Sequence, residues 1–396
     1  MSFTLANEII EELEHNGFEA YIVGGVVRDR LLERQTGDID IATSAMPDEV
    51  QRIFSKTIPV GIEHGTVIVR HGNQSFEVTT FRTEGRYEDF RRPTEVHFHH
   101  SIEADLSRRD YTINALALDR YGSIIDPYGG QDDIKHNLLK AVGLPAERFK
   151  EDPLRMMRGI RFVSILGFEF EEETYSALVE NAYLLKKISV ERIRDEFEKM
   201  LCGEHCEHAL DLLEKSKVNQ HLPGGPFDLQ IYLGKYRWGS LKSIEERWAA
   251  FLIRNSVEDA NEWLRVWKLP NQVKAKTVLI VSLIQGLVDC ASMLTIYKYG
   301  LDVLKSVLRV KRFLGDELEL EEEDLETLHT QLPIKNRSEL AMDGNDLQRF
   351  LKRNPGPWIA EYIEQIERGV IEGKIENTPS GVKEWIEEWQ QPQGKD

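Results

Sequence analysis

The chain runs Val23-Gly24-Gly25-Val26-Val27-Arg28-Asp29 and then, after a short polar interval, Gly37-Asp38-Ile39-Asp40-Ile41-Ala42-Thr43. In the second segment charged and apolar residues alternate from 38 to 42, the period of a strand with one buried face. Residues i and i+2 of a strand share a face, so Asp38 and Asp40 converge while Ile39 and Ile41 enter the core. Two converging carboxylates suit Mg²⁺, a hard cation that shares its shell with phosphate oxygens and water. An Asp-x-Asp by itself is common and usually means two solvent-facing acids. The first segment changes that reading. Gly24 and Gly25 sit between the strand-like Phe18-Glu19-Ala20-Tyr21-Ile22-Val23 and a helical pattern from about 26, and glycines at such a junction let backbone approach a phosphate. Arg28, one turn into the helix, can reach the same phosphates with a forked guanidinium.

Working outward, Pro47 is placed as the first residue of a further helix. Residues 66–70 and 75–81 read as a hairpin around His71-Gly72-Asn73. Beyond about residue 146 the β-like alternation stops and helical periodicity takes over. Pro/Gly breaks fall at 222–226, 269–271 and 354–357. The fold class expected is α+β: a head with a mixed or antiparallel sheet and flanking helices, followed by all-α modules. At 396 residues, roughly two to four structural units are expected.

Strand, Gly-Gly, helix and then Asp-x-Asp on a strand resemble the nucleotidyltransferase superfamily that includes DNA polymerase β. That superfamily carries a third carboxylate on a neighbouring strand, and Glu77 in Phe76-Glu77-Val78-Thr79 is the position that fits. The resemblance narrows to class II tRNA nucleotidyltransferases, whose motif A matches Gly24-Gly25-Val26-Val27-Arg28-Asp29 with Asp38-Ile39-Asp40. Asp105-Leu106-Ser107-Arg108-Arg109-Asp110-Tyr111-Thr112-Ile113-Asn114 is similar to motif B, which handles the ribose. Asp126-Pro127-Tyr128-Gly129-Gly130 resembles motif C, a hinge, and Glu151-Asp152-Pro153-Leu154-Arg155-Met156-Met157-Arg158 resembles motif D. Residues 191–201 match motif E less specifically. The resemblance spans the whole chain and implies a catalytic head at 1–146, a base-recognising neck at 147–207, a body at 208–305 and a tRNA-binding tail at 306–396. It implies Mg²⁺-dependent addition of C, C and A to tRNA 3′ ends from CTP and ATP without a template.

The motif D segment carries its own chemistry. Asp152, Arg155, Arg158 and Arg161 recur every three residues, so they are expected as one stripe on a helix. Such stripes are often plain solvated faces, but this one follows a triphosphate site. Cytosine and adenine each present an amine donor beside a ring-nitrogen acceptor, and uracil and guanine reverse both groups. Asp152 only accepts when ionised and Arg155 only donates, so the two complement C and A. Mismatched polar groups left unpaired make such discrimination large. The resemblance assigns these positions the same templating role. Arg158, Arg161 and Arg109 are then expected to bind the triphosphate or stack near the base.

Close relatives include poly(A) polymerases, CC-only and A-only enzymes, and silent RNA-binding homologues. Ile62-Glu63-His64-Gly65-Thr66-Val67 resembles the CCA-adding form of its segment, and residues 82–93 look like the flexible loop that CC-only enzymes lack. Asp38 and Asp40 together with Asp152 and Arg155 argue against a silent homologue. Cys202, His205, Cys206 and His208 crowd into one predicted helix without the split spacing of structural zinc sites. His97, His99 and His100 on a predicted strand are read as structural too.

Net charge is −18, which by itself opposes nucleic acid as a partner. The acid is uneven, however: residues 316–326 hold eight carboxylates in eleven positions, whereas 82–92, 108–109, 155–161 and 186–194 are locally basic. The expected partners are the 3′ end and acceptor arm of tRNA, CTP and ATP, with no membrane and no obligate protein partner. Three cysteines, an acidic amphipathic opening at 4–14 without a secretory pattern, and no apolar run near the roughly 18 residues that span a bilayer predict a cytoplasmic protein.

Overall fold

Ser2 opens the first helix, α1 (Phe3–His15), its hydroxyl accepting from the Leu5 amide. The helix turns Ile9, Ile10 and Leu13 fully inward, each such burial contributing about 1.5–3 kcal/mol. The computed structural model describes residues 2–60, 65–84, 96–98, 101–229 and 238–390. Along the head follow β1 (Ala20–Val23), α2 (Gly25–Leu31), β2 (Asp40–Thr43), α3 (Pro47–Ile53), β3 (Thr57–Pro59), β4 (Thr66–His71) and β5 (Gln74–Thr80). After these come β6 (Arg82–Glu84), β7 (Val96–Phe98), α4 (Ile102–Ser107), β8 (Ala117–Leu118), β9 (Ile124–Ile125) and α5 (Gly130–Lys135).

Among the described residues, seven strands form a sheet in the order β3-β4-β5-β2-β1-β8-β9. It is mixed: β1 pairs antiparallel with β2 and with β8, and β2 pairs parallel with β5. The parallel step needs a crossover, and the chain makes it through α3, β3 and β4. Two details differ from the sequence expectation. β2 begins at Asp40, so Asp38 precedes the strand although the alternation continues through it, with Ile39 and Ile41 buried. The β4–β5 hairpin has a two-residue turn, since Gly72 and Asn73 both take positive φ and His71 stays paired with Gln74.

Helices then dominate: β10 (Leu138–Leu139), α6 (Pro145–Glu151), α7 (Leu154–Leu166), β11 (Glu169–Phe170), α8 (Glu172–Asn181), α9 (Val190–Leu201) and α10 (Cys206–Lys215). The two-residue β11 pairs parallel with β10, a strand too short for periodicity to mark. The expected head and neck, 1–146 and 147–207, both fall in one compact unit, Met1–Trp238 with Val266–Lys268. The other unit is Gly239–Arg265 with Leu269–Asp396, so the boundary lies within the segment expected as the body. Its described helices are α11 (Ile244–Arg254), α12 (Ala260–Val266), α13 (Asn271–Gln285), α14 (Met293–Tyr299), α15 (Leu301–Leu314), α16 (Glu322–Thr330), α17 (Gly344–Leu351), α18 (Trp358–Ile371) and α19 (Pro379–Gln390). α11, α13 and α15 pack together, and Trp248 and Phe251 of α11 are fully buried. The fully buried Glu246 accepts from Arg309 at 2.6 Å and from the Lys242 amide at 2.7 Å, which satisfies a charge that would otherwise be expensive to bury. No described helix is long and apolar enough to cross a membrane.

Candidate active site

The parallel register sets Asp40 of β2 directly beside Glu77 of β5. In-register neighbours share a face, so two carboxylates from strands far apart in sequence stand side by side. Asp38, one pleat away, is exposed and does not line the cleft that Asp40 and Glu77 face. Asp40 keeps access to solvent, but the walls around it displace much of its water. That desolvation, joined by the charges of Glu77 and Asp38 and opposed by Arg109, pushes its carboxyl up to about 6. A cation placed there would relieve the repulsion. Among the described residues no three His, Cys, Asp or Glu side chains form a closed metal cage. The two adjacent carboxylates, Asp40 and Glu77, are the kind of donor pair that fits a hard divalent cation taking the rest of its shell from phosphate and water.

Above this floor the Gly24–Gly25 turn leads into α2. Gly24 has φ of +82°, and a Cβ there would meet Arg109 Nη1 at 2.9 Å. The glycine is thus required by the backbone conformation, and a side chain there would also have to push aside the tip of Arg109, a reason beyond phosphate approach. Arg109 is held by Asp105 at 3.2 Å, and Arg108 pairs with the same carboxylate at 2.8 Å. Burial would raise the Asp105 carboxyl, but Arg108 and Arg109 outweigh it and hold it below the usual range. Arg28, 7% exposed, donates to Asp29 at 2.8 Å and to Asn114 Oδ1 at 2.6 Å. Asn114 in turn donates to Asp110 at 3.2 Å. Asp110 is buried, which would raise its carboxyl; Arg158 at 2.6 Å and its hydrogen bonds bring it down to about 2.

α7 forms the facing wall. Arg155, Arg158 and Arg161 lie on it, but Asp152 precedes the helix in extended conformation, so the expected four-residue stripe is three residues and a flanking acid. The reason is Pro153, which disfavours helical backbone at the residue before it. One Asp152 oxygen accepts from the Leu154 amide at 3.1 Å, and the other pairs with Arg192 of α9 at 2.8 Å. Arg155 is 7% exposed and donates to Glu151 and to the Arg108 carbonyl, both at 3.1 Å. Arg161 pairs with Glu196 at 3.0 Å, and desolvation lowers its pKa. Gly159 leaves room for the Tyr111 hydroxyl, which a Cβ would overlap and which donates to the Arg155 carbonyl at 2.7 Å.

These groups line one cleft of about 760 Å³. It brings together Gly24, Gly25, Arg28, Asp40, Glu77, Arg109, Asp152, Arg155, Arg158 and Arg161, and of the sequence-predicted set leaves out only Asp38. Eight arginines against five carboxylates line it, a local excess of positive charge on a chain of net −18, which focuses an anion's approach. Sequence reasoning gave no individual role to Arg192, Glu196, Asp110 or Phe162. Arg192 lies in the basic run 186–194 and, with Glu196, in the segment similar to motif E, and Asp110 lies in the segment similar to motif B, but none of these signals says what the residue pairs with. Residues 62–64 and 85–93 of the two discriminating segments lie outside the described residues, as do His99, His100 and the His97 side chain. Cys202, His205, Cys206 and His208 straddle the break between α9 and α10 instead of sharing one helix.

Comparison with known proteins places this geometry in a family. A Poly A polymerase head domain matches residues 20–140, and a tRNA nucleotidyltransferase domain 2 matches 240–386. The CCA-adding enzyme of Geobacillus kaustophilus (strain HTA426) is 44% identical over 391 residues, covering 98% of this chain and 97% of that one. The CCA-adding enzyme of Geobacillus sp. (strain WCH70) is 43% identical over 390 residues, 97% of this chain and 96% of the other. The crystal structure of the Bacillus stearothermophilus CCA-adding enzyme in complex with CTP superimposes with a TM-score of 0.91 at 40% identity, covering 99% and 98% of the two chains. With a strand-borne carboxylate pair at the floor of an arginine-lined cleft and relatives matched from end to end, the chain belongs to the CCA-adding enzymes, a family of tRNA nucleotidyltransferases.

Proposed function

We propose that the chain adds C, C and A in turn to the 3′ end of tRNA, taking CTP and ATP and releasing pyrophosphate, with Mg²⁺ as its metal. The observation that supports this most is that the acids of the sheet, the arginines suited to a triphosphate and the Asp152/Arg155 pair all border a single cleft. Asp40 from within the cleft and Asp38 from its edge, whose charge already reaches the Asp40 carboxyl, would hold two Mg²⁺ ions, which would supply activation of the attacking hydroxyl and charge stabilisation on the leaving oxygens. Glu77, beside Asp40, adds negative charge that favours cation capture. Arg28, Arg109, Arg158 and Arg161 bind the triphosphate and set the α-phosphate for in-line attack by the tRNA 3′-hydroxyl, a reaction in which protein groups chiefly position and neutralise. Gly24 and Gly25 keep the turn low enough for those arginines and the phosphates.

Asp152 spends one acceptor site on Leu154 and one on Arg192, leaving lone pairs for the exocyclic amine of cytosine or adenine. Arg155 retains donors for the neighbouring ring nitrogen. We assign residues 1–146 to a catalytic head, 147–207 to a base-recognising neck, 208–305 to a body and 306–396 to a tRNA-binding tail, and we place the protein in the cytoplasm with its substrate. Incubating the protein with tRNA lacking its CCA end, labelled CTP and ATP, resolved to single nucleotides, tests the reading. The expected product ends in CCA. A product that halts at CC, a lone A added to tRNA ending in CC, a long A tail, or tRNA binding without incorporation would each replace it with a related activity.

A further inference from the structure

Three guanidiniums of the cleft gather on one aromatic ring. Arg161, Arg28 and Arg158 lie over Phe162 with their central carbons 4.6, 5.2 and 5.9 Å from its centroid. The ring is 6% exposed and borders the cleft with all three. Its orientation is fixed by Tyr111, edge-on at 5.9 Å and 86° and itself tied through its hydroxyl to the Arg155 carbonyl.

Three like charges this close repel, and each is drawn toward its own acid: Arg28 to Asp29, Arg158 to Asp110, Arg161 to Glu196. A further carboxylate among them would hold them together, but it would consume N–H donors and repel a phosphate. An aromatic face attracts cations through its quadrupole, brings no net charge, and leaves the in-plane N–H groups free. We propose that Phe162 is a positioning residue of the nucleotide site: its π-face gathers Arg28, Arg158 and Arg161 into one triphosphate-binding group. This inference rests on the reading of the cleft as the nucleotide site. It separates two jobs on α7, phosphate capture organised by Phe162 and base choice by Asp152 and Arg155.

The test uses the full chain with 4-fluoro-, 3,5-difluoro- or 3,4,5-trifluorophenylalanine at position 162. Fluorine withdraws electron density from the face while nearly preserving shape, so packing and cation attraction are varied separately. KM for CTP and for ATP should rise together and stepwise, reaching about tenfold at three fluorines, the size of one or two cation–π contacts. The inhibition constant of inorganic tripolyphosphate should rise in parallel. Melting temperature and the C-over-U preference should stay at the wild-type values. Phe162→Leu should show at least the trifluoro effect on KM. Unchanged KM across the fluorinated series, or losses that follow melting temperature instead of fluorine count, would overturn the proposal. A wild-type chain that incorporates neither nucleotide and does not bind tripolyphosphate would instead overturn the reading of the cleft itself.

Discussion

Replacing Asp152 separates base selection from structure, because the residue does two measurable things in the protein. It caps the first turn of α7 through the Leu154 amide and pairs with Arg192 at 2.8 Å. Asp152→Asn keeps an oxygen for the cap and loses the ion pair, which is largely shielded but not fully buried. A pair of that kind contributes about 1 kcal/mol, so melting should fall by about 2–4 °C in a unit of this size. Base selection should change far more. The carboxylate only accepts, so it opposes the O4 of uracil, whereas the Asn amide can donate to that oxygen. Losing a charge-assisted hydrogen bond of about 1.5–3 kcal/mol lowers C-over-U preference by roughly ten- to a hundredfold. Asp152→Ala, which removes the repulsion without supplying a donor, should fall short of Asp152→Asn in UTP use. The assay is extension of tRNA lacking CCA with CTP or UTP, compared as kcat/KM, beside a thermal melt. A variant that slows yet keeps wild-type C-over-U preference refutes the reasoning, and Asp152 is then a helix cap and nothing more.

Asp38→Ala and Asp40→Ala should each abolish incorporation of both nucleotides while tRNA binding by gel shift persists; near-normal turnover in either would remove its assignment as a metal ligand. Activity should decline below about pH 6, roughly tenfold per pH unit, because the Asp40 carboxyl, raised to about 6, must be ionised to hold a cation. Raising Mg²⁺ favours the carboxylate and should move that limb to lower pH, which rate profiles at two Mg²⁺ concentrations would check. Gly24→Ala forces a side chain into a φ of +82° and against Arg109, so denaturant melts should show a loss of about 1–3 kcal/mol with a raised KM for CTP.

What the sequence made legible was local. Alternation marked the strand that carries Asp40, although it ran that strand back to Asp38, which precedes it; Pro47 marked a helix start and Gly72-Asn73 a hairpin, since each signal needs only a few consecutive residues. Glu77 came from the family's pattern, and the parallel register supplies its placement beside Asp40. The partners that complete the cleft were not legible. Arg192 is 40 residues from Asp152, and Arg158 is 48 from Asp110. No helical or strand period links positions so far apart. Phe162 carries no signal of its own in the sequence, and only the folded chain shows three cations on its ring. Asp152 stands outside the stripe that spacing by three suggests because the helix begins only after Pro153, which holds Asp152 extended.

The arginines of the cleft are not waiting empty-handed. Arg28, Arg158, Arg161 and Arg192 are each already matched to an acid of the chain. Each pair engages only part of a guanidinium, which carries several N–H donors in a fixed fork, so the acids hold the positive charge in place without consuming it. The cleft is thus pre-organised: its guanidiniums stand assembled before any anion arrives, and reorganisation that a polyanion would otherwise have to drive has been done by folding.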